Sequence, residues 1–168
     1  QRWWPKPSSR SKSLSTDQID IHIRPMTSLE VRPLRLEVLR AGMVNQTVQF
    51  DGDDDPTTIH LGAFDQDQNN VGVSTWMQRP FPLAEEHKAL QLRGMATAVN
   101  VQGQGIGARL LFAGQSHGRE IGAHLIWANA RDAALNFYNR HGYSTVGEGF
   151  IETVTQLPHH KVVKYLAE

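Results

Sequence analysis

The chain has 168 residues, of which 39% are hydrophobic, and this is enough for one domain with a buried core. Its 17 basic and 17 acidic residues give a formal net charge of zero, so there is no global electrostatic reason to expect nucleic acid or a membrane as a partner. It contains no cysteine, which excludes disulfides, Cys-ligated zinc and a cysteine nucleophile. No apolar run could span a membrane, and no signal-peptide core follows the first residues. We therefore expect a soluble, cytoplasmic protein.

The first 18 residues differ in composition from the rest of the chain. Residues 1–18 are basic and rich in serine and proline, which predicts a flexible tail. Trp3 and Trp4 leave open whether this tail docks onto a partner or has no role. We expect residues 19–168 to form a single domain.

The next part of the chain predicts a strand, a helix and an acidic loop. Residues 19–24 alternate between apolar and polar, as in a half-buried strand. Thr27 and Glu30 have the spacing of a capping box, and we expect the main part of the helix at about 33–41, ended by Gly42. Residues 51–56 contain four aspartates, but they lack the spacing of a calcium-binding EF-hand loop, so we interpret them as a solvated loop.

A hairpin and an α/β unit follow. Residues 57–65 and 70–78 are predicted strands joined by a polar turn. The apolar run 90–99 is predicted to be the central strand, and the helix after it is expected to end near Glu120, before Gly122.

The last third predicts one more helix and a closing pair of strands. Residues 124–128 are typical of a buried parallel strand. Asn129 is the predicted N-cap of a helix over 130–141, and residues 143–155 and 161–166 are predicted to pair antiparallel. The resulting order β-α-β-β-β-α-β-α-β-β indicates a mixed α/β (α+β) fold, with a central mixed sheet and helices on both faces.

A glycine-rich turn lies between the central strand and its helix. The segment Gln102-Gly103-Gln104-Gly105-Ile106-Gly107 places three glycines where a helix begins, and a helix N-terminus with close backbone approach favours phosphate. A Walker A loop is excluded because its lysine motif is absent. A dinucleotide fingerprint fits loosely, but the acidic residue it needs has only Asp132 as a candidate, within the predicted helix. A plain tight turn is the remaining alternative.

Two short motifs follow one another about 30 residues apart. The glycine-rich turn has the spacing Gln102-x-x-Gly105-x-Gly107, and the second motif consists of Ala134, Phe137, Tyr138, Arg140, Gly142 and Tyr143. In this order they resemble the [RQ]-x-x-G-x-[GA] and A-x-x-[FL]-Y-x-[KR]-x-G-[FY] signatures of the GNAT superfamily of acyl-CoA-dependent N-acetyltransferases. One departure is Arg131, which stands where many members have asparagine.

This resemblance implies a GNAT-like fold and an enzyme that moves the acetyl group of acetyl-CoA, its co-substrate, to a primary amine by direct attack. The acceptor would be a small-molecule amine or a peptide amine. In the family, the loop amides hold the pyrophosphate and the preceding strand holds the pantetheine arm. The expected cofactor-binding residues are therefore Met95, Ala96, Thr97, Val99, Gln102, Gly103, Gln104, Gly105, Ile106, Gly107, Asn129, Asn136 and Tyr138.

The resemblance also implies catalytic roles. Tyr138 is the expected acid that protonates the departing thiolate. The base that removes the amine proton is not fixed by the family; of the candidates Glu37, Glu85, Glu86 and His87, we select Glu37 because its helix borders the acceptor pocket in this fold. The histidines lack metal-binding spacing, and the chemistry needs no metal.

Two other functions remain open at this point. A non-catalytic acyl-CoA-binding regulatory module would have the same loop, and a dinucleotide-binding oxidoreductase would use the glycines for a different ligand. The family fold often forms dimers, so a homodimer also remains open. The identity of the acceptor is not encoded in any motif of this sequence.

Overall fold

The computed structural model describes residues 19–167, and its strands and helices follow one another in the predicted order. The predicted tail over residues 1–18 lies outside the described residues. The elements are β1 (His22–Met26), α1 (Arg32–Leu34), a π-helical segment (Arg35–Leu39), β2 (Ile59–Phe64), β3 (Asn70–Met77), β4 (Ala89–Thr97), a 3₁₀ turn (Val99–Val101), α2 (Ile106–Glu120), β5 (Leu125–Arg131), a 3₁₀ turn (Asp132–Ala134), α3 (Leu135–Arg140), β6 (Ser144–Ile151) and β7 (Pro158–Tyr165).

The seven strands form one sheet in the order β1-β2-β3-β4-β5-β7-β6. Neighbouring strands run antiparallel except β4 and β5, which run parallel. Helix α2 makes the crossover between these two strands, as a parallel connection requires. The predicted mixed sheet is confirmed.

The helices lie on both faces of this sheet, as predicted. Thr75 and Trp76 are successive residues of β3, so their side chains point to opposite faces. Trp76 packs so closely on α2 that a Cβ added at Gly114 would lie 1.9 Å from its ring. Thr75 accepts a hydrogen bond from Arg35 at 2.7 Å, which places the first helical segment on the other face.

The first helix begins as the sequence predicts but differs afterwards. The Glu30 amide donates to Thr27 Oγ1 at 3.2 Å and the Thr27 amide to Glu30 Oε1 at 3.0 Å, which is a complete capping box. The regular helix predicted over 33–41 is wrong, because α1 becomes π-helical after three residues. The wider turn accompanies the burial of two successive side chains, those of Leu34 and Arg35.

A second difference concerns the end of β5. Asn129 does not cap a helix over 130–141, because β5 continues to Arg131 and pairs with β7 along this stretch, Asn129 lying opposite Lys161. Ala128 and Ala130 face the core in strand alternation. Helix α3 is correspondingly short. Residues 158–160, predicted as a connector, belong to β7.

Candidate active site

The site forms where β4 and β5 separate. The two strands are paired at only three positions, Ala89 with Leu125, Leu90 with Ile126 and Gln91 with Trp127. Beyond Gln91 both strands continue without pairing to each other. Their facing edges therefore enclose a wedge, and backbone groups along it have no partner strand.

A β-bulge at Gly94 accompanies the separation. Thr75 lies opposite Arg93 and Val73 opposite Ala96, so two residues of β4 occupy the space of one residue of β3. Gly94 has a φ of +59°, and a Cβ there would lie 2.8 Å from the Phe50 ring and 3.0 Å from Arg35 Nε. Both the conformation and the crowding require glycine at this position.

The wedge opens into a cavity of about 420 Å³. Both strands line it, together with the segment 39–51, helix α3 and the connector between β6 and β7. Residues far apart in the chain therefore meet around one space, the size of which is typical of a small-molecule site.

Tyr138, the predicted acid, lies at this cavity. It projects from α3, is only 7% exposed and packs against Phe137 and Tyr143, at ring distances of 5.3 and 5.5 Å. Burial, and secondarily Tyr143, raises the pKa of Tyr138 above its usual range. The phenol therefore keeps its proton and is available as a donor.

Two further polar side chains that line the cavity, those of His159 and Glu152, were missed in the sequence predictions. His159 is buried, and its Nδ1 lies 2.9 Å from the carbonyl of Leu157. Only a protonated nitrogen donates to a carbonyl, so in the neutral imidazole Nε2 carries the lone pair and can accept a proton.

Glu152 is held differently. Its carboxylate accepts from the amides of Val154 and Thr155, at 2.9 and 2.7 Å, and from Thr155 Oγ1 at 2.7 Å. Burial alone would raise the pKa of Glu152, but these hydrogen bonds outweigh it and lower the pKa. Glu152 is thus a fixed anion with both oxygens engaged, which makes it a poor base.

The glycine-rich loop connects β4, through the 3₁₀ turn, to the start of α2. Gly103 and Gly105 have φ values of +80° and +81°, and no atom lies within 4 Å of a Cβ added at either. None of the six amides over 103–108 donates to another described residue. Gln102 ties the loop to β4 by donating to the carbonyl of Thr97 at 3.1 Å. A run of free donors at a helix N-terminus fits a pyrophosphate group.

The structure brings only some of the predicted residues together. Met95 and Asn129 line the cavity, although Asn129 Oδ1 also accepts from Lys161 Nζ at 2.9 Å. Ile106 is buried in the core, so only its amide is available to a ligand, and Val99 is 66% exposed on the 3₁₀ turn. Asn136 is exposed on α3 and does not line the cavity.

The predicted base is not in the cavity. Glu37 is exposed on the π-helical segment and is absent from the cavity wall. The buried charged side chains here are instead Arg35, at the start of this segment, and Arg40, directly after it. The alternatives over 85–87 precede β4, at the end of that strand opposite to the wedge.

A buried ion pair lies below the cavity, on the side where Phe50 forms part of the wall. Arg35 binds Asp53 through two hydrogen bonds of 2.6 and 3.0 Å, and both side chains are essentially inaccessible. His60 completes the network through Thr75 Oγ1 at 2.7 Å and the carbonyl of Asp53 at 2.9 Å. The Arg35 guanidinium also stacks on Phe50, 4.0 Å from the ring centroid. The acidic segment 51–55 therefore contains a structural ion pair.

Comparison with known proteins agrees with this geometry. The Acetyltransferase (GNAT) family model matches residues 24–143, and the chain belongs to this family of N-acetyltransferases. It is 25% identical over 130 residues to the uncharacterized N-acetyltransferase YitI of Bacillus subtilis, which covers 77% of this chain and 87% of that protein.

Solved structures show the same fold. A GNAT-family acetyltransferase from Staphylococcus aureus superposes with a TM-score of 0.66 over 88% of this chain and 100% of that one, at 16% identity. An acyl-CoA N-acyltransferase from Pseudomonas aeruginosa gives a TM-score of 0.61 over 88% and 99%, at 18% identity. No helix within residues 19–167 is long and apolar enough to cross a membrane.

We expect the ion pair below the cavity to govern stability at low pH. Burial alone would raise the pKa of Asp53, but hydrogen bonds from Arg35 and the Phe50 amide outweigh it and lower the pKa. The corresponding stability is present above the ordinary Asp pKa near 3.9 and is lost as pH falls through the lowered value. Asp53→Asn should lower the free energy of unfolding by about 3 kcal/mol at pH 7 and flatten its decline below about pH 4.

Urea unfolding at several pH values measures both effects. Asp55→Asn is the matched control, since the Asp55 side chain is exposed and makes no hydrogen bond with the described residues. Equal acid sensitivity of Asp53→Asn and the unsubstituted protein would contradict the assignment.

Proposed function

We propose that this protein transfers the acetyl group of acetyl-CoA to the primary amine of a small molecule by direct attack. The observation that carries the proposal is that β4, one edge of the wedge, leads through the 3₁₀ turn into a loop whose six amides over 103–108 are free. Family membership establishes acyl-CoA N-acyltransferase chemistry more generally. The small cavity favours a compact acceptor over a folded protein.

The backbone supplies most of the proposed acyl-CoA contacts. The amides of the glycine loop hold the pyrophosphate, because helix-start donors and the helix dipole both favour an anion. The pantetheine arm then runs along the unpaired edge of β4, beside Met95, Ala96 and Thr97. The bulge at Gly94 leaves main-chain groups at the cavity wall, and an amide there is suited to stabilise charge on the thioester oxygen.

Side chains supply the proton transfers. The amine nitrogen forms a bond to the thioester carbonyl carbon, the C–S bond breaks, and the sulfur leaves as a thiolate. We assign His159 Nε2 as the base that removes the amine proton and Tyr138 as the acid that protonates the thiolate. This replaces the earlier choice of Glu37. A proton donor, Tyr138, and a proton acceptor, His159, on the wall of one cavity favour catalysis over a purely regulatory acyl-CoA-binding module.

Acetyl-CoA binding tests the loop. Gly105→Val should weaken binding by about tenfold or more, because a β-branched residue does not adopt the positive φ that aims the amides. Calorimetric titration with acetyl-CoA measures the affinity, and Gly122→Val is the matched control. Gly122 has a φ of +74° and open space around it at the other end of α2. Binding of NAD in place of acetyl-CoA would contradict the proposal.

The role of Tyr138 as the acid is tested by removing its hydroxyl group. Tyr138→Phe should lower kcat by roughly 100-fold while acetyl-CoA affinity stays unchanged, because the ring still packs and only the proton donor is lost. Steady-state kinetics with a responsive amine measures this. Tyr143→Phe, a buried phenol outside the cavity wall, is the control. Unchanged kcat in Tyr138→Phe would remove the acid assignment.

The base has a distinct signature in pH dependence. His159→Asn keeps a donor for the Leu157 carbonyl but lacks a basic nitrogen, so kcat/KM should fall roughly 100-fold near neutral pH. Activity should recover as pH rises, because the free-amine fraction of an alkylamine acceptor grows toward its pKa near 10.4. His160→Asn, which changes the neighbour paired with Asp132 at 2.7 Å, should behave normally. A loss that high pH leaves unrelieved would contradict the role of His159.

A further inference from the structure

Three arginines line the cavity without an acidic partner. Arg40, Arg93 and Arg131 come from the segment after the π-helix, from β4 and from the end of β5. None of them forms an ion pair with a carboxylate of residues 19–167. Asp51, an acid on the cavity wall, pairs with Arg79 at 3.2 Å instead.

This concentration of positive charge is unfavourable in the absence of an anion. Burial lowers the pKa of each of the three arginines, and repulsion from Arg131 lowers the pKa of Arg40 further. Of the two carboxylates that residues 19–167 place on the cavity wall, Glu152 has no cation within ion-pair distance, and its oxygens already accept three hydrogen bonds. Three guanidinium groups thus share one occupied carboxylate. An anionic ligand group would relieve the imbalance.

The guanidinium groups are fixed in position by carbonyls and an aromatic ring. Arg40 Nε donates to the carbonyl of Thr47 at 2.8 Å, and Arg40 and Arg131 both donate to the carbonyl of Leu39, at 3.2 and 2.9 Å. Arg93 lies over the Phe50 ring, 4.8 Å from its centroid. Each arginine retains further N–H groups that make no bond to the described residues. Such oriented planar forks match a carboxylate, which has the same planar two-point geometry.

Gln91 provides an independent observation. It lines the same cavity, is only 5% exposed, and its buried amide oxygen has no hydrogen-bond partner among residues 19–167. Gln91 and Arg93 are alternate residues of β4 and therefore share a face of the sheet. A buried, unsatisfied amide next to the arginines indicates that a polar ligand completes its hydrogen bonding.

We propose that the acceptor is an amine bearing a carboxylate, of the amino-acid type, held by Arg40, Arg93 and Arg131 while its amino group faces His159. This rests on the acetyl transfer proposed above and specifies its substrate class. The carboxylate binds the guanidinium forks, and Gln91 hydrogen-bonds another polar group of the acceptor. The reaction yields an N-acetylamino acid and free CoA.

Matched acceptors test this inference directly. Each of a set of L-amino acids is compared with its primary amide and with the corresponding decarboxylated amine. We expect kcat/KM for the best amino acid to exceed that of its amide by roughly 10- to 100-fold, the range for losing a charge-assisted pair. The amide has the less basic amine, so a larger neutral-amine fraction cannot produce this preference.

Substitutions of the cavity arginines test which residues produce the preference for a carboxylate over an amide. Arg131→Gln and Arg93→Gln should each reduce the acid-to-amide ratio by about tenfold or more while KM for acetyl-CoA stays unchanged. Arg119→Gln, an exposed arginine near the far end of α2, should preserve the ratio. Thermal unfolding of each variant checks that the fold is retained. A ratio insensitive to both cavity substitutions would overturn the inference.

The two proposals fail in distinguishable ways. Faster transfer to amides or to diamines without a carboxylate overturns the amino-acid acceptor and leaves acetyl transfer intact. Absence of transfer to any amine contradicts the proposed function, and calorimetric titration then tests the carboxylate site separately. N-acetylamino acids should bind at least tenfold more tightly than their amides; equal binding, or none, overturns the inference.

Discussion

The separation of β4 and β5 is the constraint on which the site depends. Parallel strands normally stay paired along their length, and unpaired backbone groups inside a sheet are unfavourable. Here, pairing stops after Gln91, and other contacts hold the strands apart: β7 pairs with β5 on its far edge, while Arg131 is bound to the Leu39 carbonyl. The unsatisfied strand edges are available to an extended ligand. In the proposed function, acyl-CoA binding therefore uses hydrogen-bonding capacity that folding leaves unused.

The buried pair of Arg35 and Asp53 connects this constraint to the opposite layer. Its hydrogen bonds join the π-helical segment to the loop before β2 and, through Thr75 and His60, to two strands. Arg35 and Arg93 both lie over the ring of Phe50, a residue of the cavity wall. A buried ion pair adds little net stability compared with an apolar replacement. Here the pair holds Arg35 against Phe50 and beside Gly94, where a Cβ would lie 3.0 Å from Arg35 Nε.

Local signals in the sequence predicted the fold and the glycine-rich turn at the start of α2, whereas the roles assigned to the site residues stay predictions. Glycine spacing before α2 and strand alternation depend on nearby residues, and both predictions match the structure. The prediction of a helix directly after Asn129 was wrong. Asn129 instead pairs with Lys161 of β7, more than thirty residues later in the chain, and this pairing overrode the local cap signal. His159 was missed because it follows Pro158, a combination that resembles a connector. Its position at the cavity depends on β7 lying beside β5, which no local pattern encodes.

The difference between what the sequence predicted and what it missed follows from the chemistry of the two proposed substrates. In the proposed function, main-chain amides suffice for the phosphates of the acyl donor, and their placement needs glycines, which leave a motif in the sequence. The acceptor that we propose is recognised by side chains instead. These side chains, Arg40, Arg93 and Arg131, come from three parts of the chain and have no common spacing. A family signature consequently identifies the reaction, whereas specificity for the acceptor emerges only where tertiary structure brings unpaired charges together.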